Sequence, residues 1–96
     1  MKEARIYVDF NEMLEEDVVL LSQSDIKLDS EGNIVELSEG LFVKIYMPDV
    51  DELNNKDNLI AEGIVERNTI IKGFGSVAKW NCRINNKGIY HEYDRE

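Results

Sequence analysis

Three stretches between Glu39 and Ile84 limit most strongly what this chain can fold into. In the first, Glu39-Gly40-Leu41-Phe42-Val43-Lys44-Ile45-Tyr46-Met47, the side chains of Val43, Ile45 and Met47 fall on one face and those of Phe42, Lys44 and Tyr46 on the other. That two-residue period belongs to a half-buried strand. Lys79-Trp80-Asn81-Cys82-Arg83-Ile84 repeats it, with Trp80, Cys82 and Ile84 opposed to Lys79, Asn81 and Arg83. Between them Ala61-Glu62-Gly63-Ile64-Val65-Glu66 carries a glycine inside a strand pattern, a mark of a bulge or of a close backbone approach where a sheet bends. Three successive strands of this kind make a bent meander. With further strands before it, the meander predicts an all-β fold in a small barrel, since closure removes edges that would pair with other chains.

Strands are also readable before Glu39. Arg5 to Phe10 alternates Ile6, Val8 and Phe10 against Arg5, Tyr7 and Asp9, and Val18-Val19-Leu20-Leu21 reads as a strand covered on both faces. Ile26-Lys27-Leu28-Asp29 and Asn33-Ile34-Val35-Glu36-Leu37 flank Ser30-Glu31-Gly32, a hairpin with a glycine available for positive φ. Asn11 to Asp17 is open between one helical turn capped by Asn11 and an acidic loop. Asn85-Asn86-Lys87-Gly88 forms a turn before a last short strand through Tyr90 and His91, and Asp94 to Glu96 is expected to fray. Five to seven short strands over residues 1–96 are expected as one domain, with at most one short helical turn. The glycine before the first central strand and the one inside the second are similar in kind to SH3-like and OB-type small barrels, a likeness of architecture only.

Gly63-Ile64-Val65 followed by Lys72-Gly73-Phe74-Gly75 resembles the spacing in the cold-shock family of single-strand nucleic-acid binders, over about fifteen of the 96 residues. That resemblance would imply bases stacked on aromatic side chains in a positive groove. Glu66, Arg67, Asn68 and Ser76 stand where that family has a basic residue and aromatics.

Charge narrows the function. The chain has 20 acidic and 11 basic residues, a formal charge of −9. From Met1 to Glu62 the balance is 16 acids to 5 bases, and from Gly63 to Glu96 it is 4 to 6. Such a field repels nucleic acid and anionic membranes and steers a basic partner inward. No run approaches the roughly 20 apolar residues of a membrane helix, and Met1-Lys2-Glu3-Ala4-Arg5 leads into a strand rather than a signal peptide, so a cytoplasmic protein is expected. Lone Cys82 reads as a small buried apolar side chain.

Enzymatic chemistry is not expected, because the chain shows no triad, phosphate loop or metal-spaced Cys and His, and no cofactor is implied. The long break from Pro48 to Asn58 invites a calcium reading. Counted from Asp51, however, Leu53 takes the third position and Lys56 the sixth, where a ligand and a glycine are required, so no metal is expected. The leading expectation is a protein-binding module, an accessory subunit or inhibitor, whose carboxylates Glu12, Glu15, Glu16, Asp17, Asp49, Asp51, Glu52 and Asp57 meet a basic partner. The alternative is a barrel that takes a glycan, nucleotide or single-stranded nucleic acid on Phe42, Tyr46, Phe74 and Trp80. A monomer or weak homodimer is expected in either case.

Overall fold

The computed structural model describes residues 3–70, 73 and 78–92. Nine short strands form among them: β1 (Ile6–Tyr7), β2 (Met13–Glu15), β3 (Val18–Ser22), β4 (Ile26–Leu28), β5 (Ile34–Glu36), β6 (Phe42–Met47), β7 (Leu59–Arg67), β8 (Trp80–Ile84) and β9 (Tyr90–His91). The main sheet has the order β1-β6-β7-β8-β3-β2, with β9 added to β7, and β4 and β5 make a separate hairpin. Only β1 runs parallel to its neighbour, pairing Ile6 with Ile45; the other pairs are antiparallel. This is a small all-β domain whose sheet curls into an open half-barrel. The expected barrel is reached in that coarser form, with β1 and β2 as the two outer strands.

The alternation in the central strands sets the core. Val43 and Ile45 from β6, Ala61 and Val65 from β7, and Trp80, Cys82 and Ile84 from β8 join Ile6, Val8, Phe10, Val19, Leu21 and Leu37 in one buried cluster. β7 puts small residues on its inner face, Ala61 and Gly63, and β8 comes close to it at Gly63. A Cβ on Gly63 would collide with the Arg83 carbonyl oxygen and come within 2.8 Å of the Arg83 carbonyl carbon and of Cys82 Sγ. Of the two roles open to Gly63, the structure uses the close approach, since the register through Val43, Gly63 and Ile84 is unbroken. The bulges lie instead in the β2–β3 and β3–β8 pairs, between Met13 and Glu15 and between Leu20 and Ser22.

Val18 to Leu21 is buried on both faces, as its unbroken apolar run requires. The Asn11 to Asp17 segment is neither a helical turn nor only a loop. Asn11 and Glu12 close a turn on Asp9, and Met13 and Glu15 then pair with Val19 and Val18. Seven residues make too few backbone bonds for a free helix, whereas the edge of β3 offers a ready ladder. The β4–β5 hairpin forms as expected, with Gly32 at φ +82°. The tail strand is β9, and the expected fraying of Asp94 to Glu96 lies outside the described residues. No helix among the described residues is long and apolar enough to cross a membrane.

Candidate functional site

The eight carboxylates singled out from the sequence separate into distinct groups. Glu15 and Asp17 flank the β2–β3 turn and converge on Arg83, which projects from the outer face of β8. Arg83 donates through Nε to Glu66 at 3.0 Å and through Nη1 to both Asp17 oxygens at 3.2 Å, and its Nη2 lies 3.7 Å from Glu15. The hydrogen bond and charge of Glu66, then those of Asp17, push the guanidinium further up in pKa. Glu16 is exposed at the turn itself. Glu12 is half-buried and shares a groove with Lys27, Leu20 and Tyr7.

The second group sits on the connection between β6 and β7, a tongue held by its own hydrogen bonds. Val50 bridges Lys56, the Asp57 amide donates to the Asp49 carbonyl, and Asn54 takes a positive φ of 64° at the tip. Asp51 Oδ1 accepts from the amides of Leu53 at 2.8 Å and Asn55 at 2.9 Å. The Asn55 amide first, with the Leu53 amide behind it, holds the Asp51 carboxyl below its usual range against an opposing effect of burial. Asp57 faces His91 from β9, with Oδ2 3.3 Å from the ring Nδ1, and Asp49, Glu52 and Leu53 line the same cleft. Ile64, the residue paired with Arg83, stands about 17 Å along β7 from Leu59, where the tongue ends, at roughly 3.4 Å per residue. The two acidic groups are therefore separate.

The aromatic set is also divided. Phe42 and Tyr46 lie on the outer face of β6, where Tyr46 meets Tyr7 edge-on at 6.1 Å. Trp80 is on the inner face and buried; its Nε1 donates to Asp25 at 3.0 Å and Arg67 stacks 4.8 Å above its ring. Phe74 lies outside the described residues, as does most of the Lys72 to Gly75 string. Cys82 is fully buried, and burial first, then the charge of Glu66, pushes its thiol up to about 12. It pairs opposite Val65 and His91 opposite Leu59, about 20 Å apart along β7. No thiol–imidazole pair forms.

Two arrangements were not visible in the sequence. Arg5 is 3% exposed, donating to the carbonyls of Ala61 at 3.2 Å and Ile45 at 3.5 Å, with Glu62 at 3.7 Å. Asn81 is buried with its Nδ2 on Asn68 and its Oδ1 without a partner. The only signal for either was polarity at a strand position, which does not reveal burial on the outer face. Comparison of the chain with protein-family models, curated proteins and solved structures found no match.

Proposed function

We propose that this chain is an acidic protein-binding module that docks a basic surface of a partner protein, as an accessory or regulatory subunit or as an inhibitor occupying a nucleic-acid-binding groove. The observation that carries the reading is the internal use of most cations among the described residues, Lys56 excepted. Lys44 is held by Glu3, Lys79 by Asp25, Arg83 by three acids, and Arg5 and Lys87 by Glu62, while Lys27 is tied to a carbonyl. Glu16, Glu31, Glu36, Glu39 and Glu52 form no ion pair among the described residues, so the surplus negative charge faces outward. A field of one sign raises the rate of encounter with an opposite surface. The proposed setting is cytoplasmic, the proposed state monomeric or weakly dimeric, and the curled sheet is proposed to be of the SH3-like or OB-like kind.

The test is association kinetics with a basic protein retrieved by affinity capture, over a range of salt concentrations. Glu16→Lys, Asp49→Lys and Glu52→Lys combined should slow association about tenfold at low salt and flatten its salt dependence. Glu15 and Asp17 are unsuitable for reversal because they hold Arg83. Unchanged rates in the triple variant refute the reading. Among the described residues the aromatic alternative draws support from exposed Phe42, which lines a groove with Ile6, Val35 and Lys44, and from the outward Tyr46–Tyr7 pair; titration with oligosaccharides, nucleotides and single-stranded RNA tests it.

A further inference from the structure

β4 faces opposite to what its composition predicts. By alternation Ile26 and Leu28 belong inside and Lys27 outside. The hairpin register reverses this: Lys27 pairs with Val35, which packs against the core, so β4 turns its two aliphatic side chains to solvent. Lys27 is drawn inward, its ammonium donating to the Leu21 carbonyl at 2.7 Å, and burial pulls its pKa down. The outward face is a two-by-two array, Leu28 beside Ile34 and Ile26 beside Glu36. Ile26, Leu28 and Ile34 are 51%, 58% and 67% exposed. Val35 on β5 and Leu37 just after it gain the core by this register, and the cost is three large aliphatic side chains left together in solvent, a patch that calls for a use.

Along the hairpin's own sequence the charges are nearly all acidic, while Lys79 reaches Asp25 and Lys44 shares a groove with Asp29 and Val35. From Asp25 to Glu39 the acids are Asp25, Asp29, Glu31, Glu36 and Glu39, and the single cation is the inward-turned Lys27. Asp25 is occupied by Lys79 and Trp80, and Asp29 by the amides of Glu31 and Asn33. Glu31, in the turn between Leu28 and Ile34, and Glu36, beside Ile26, remain without an ion pair among the described residues.

We propose that the outward face of the β4–β5 hairpin is a protein-docking surface, and that its occupant is a partner segment carrying apolar side chains flanked by lysine or arginine. This rests on the acidic docking reading and adds to it a place and an apolar centre. A second copy of the chain fits poorly. The three side chains expose roughly 300 Å², where a stable dimer needs about 800 Å² per partner. A copy would also bring Glu31 and Glu36 against acids of their own kind in a chain of charge −9.

The experiment is an NMR titration of the full chain, with isoleucine and leucine methyls labelled, against three synthetic peptides of equal length: lysine/leucine amphipathic, lysine/serine, and glutamate/leucine. The lysine/leucine peptide is expected to shift the methyls of Ile26, Leu28 and Ile34 and to bind at least tenfold more tightly than the lysine/serine peptide, with the glutamate/leucine peptide not binding. Leu28→Ser, Ile34→Ser and Glu36→Lys should each weaken it about tenfold while leaving thermal stability near that of the wild type. If the two basic peptides bind equally and their shifts map to the 48–58 tongue or to Glu12–Asp17, the hairpin proposal fails and the acidic docking reading survives. If neither basic peptide binds at low salt, both fail. Equal binding of the glutamate/leucine peptide, or a sedimenting dimer abolished by Ile34→Ser, overturns the choice of a basic occupant.

Discussion

Replacing Gly63 with alanine puts one methyl group where the sheet leaves no room. Its Cβ would overlap the Arg83 carbonyl oxygen and stand 2.8 Å from both the Arg83 carbonyl carbon and Cys82 Sγ. A side chain could swing aside, but the nearest obstacle is backbone, locked by the pairing of Gly63 with Ile84 and Ile64 with Arg83. Relief requires β8 to move away from β7 at Gly63. Overpacking of a core costs about 1–3 kcal/mol, and a backbone obstacle puts this case at the upper end, about 3 kcal/mol. Against a total of roughly 5–15 kcal/mol for a chain of this size, that is a drop in melting temperature of about 12–24 °C. Urea and thermal unfolding would measure it, and amide exchange at Ile64 and Ile84 should quicken in the variant. Adding Cys82→Ala removes only the sulfur contact, so the double variant should recover no more than about 1 kcal/mol. A Gly63→Ala loss below about 0.5 kcal/mol would refute the close approach of β8 to Gly63 as a constraint on the sheet. Full rescue by Cys82→Ala would place the obstruction on the thiol instead.

Arg5→Ala takes a buried donor from the Ala61 carbonyl and leaves Glu62 with Lys87 and Tyr90, and should cost about 1–3 kcal/mol by urea unfolding, whereas Arg5→Met with Glu62→Leu should fall within about 1 kcal/mol of wild type. Cys82 should resist thiol reagents in the native chain and react only as fast as the protein opens. Its folded pKa is raised, so the stability it contributes is whole below the unfolded thiol's value and is lost as pH rises toward about 12; urea titrations of wild type against Cys82→Ala should diverge in that alkaline window. In acid the sign reverses. Glu3, Asp25, Asp29 and Asp51 are lowered by Lys44, by Lys79 and Trp80, and by backbone amides respectively. Their contribution is present above the unfolded carboxylate range and lost as pH falls through the folded values, so Asp51→Asn and Asp25→Asn should each flatten the acid limb of the unfolding midpoint.

The central strands were legible because burial decides each of their side chains locally: Val43 and Ile45, or Trp80 and Cys82, can lie only inward once the segment is extended. Gly63 was legible for the same reason, as a residue with no side chain to place. The hairpin's existence followed from its turn, but its facing did not. Val35 and Leu37 claim the inner side, and the turn register then forces Lys27 in and Ile26 and Leu28 out. That contest spans two strands and leaves no mark in either. The pairing of Arg83 with Glu15 and Asp17 joins distant parts of the chain through β3, and charge counting cannot see it. Whether the curled sheet closes depends on bonds between its first and last strands, which side-chain alternation does not encode.

The register of the main sheet also sets an order of events during synthesis. Ile6 needs Ile45 as its neighbour, and Val19 needs Cys82. The apolar run Val18 to Leu21 therefore emerges from the ribosome long before the strand that covers it has been translated. Contacts so distant along the chain form slowly. A nascent chain of this topology holds β3 against β2 along one edge and leaves its other, greasy edge open until Trp80–Ile84 has been delivered.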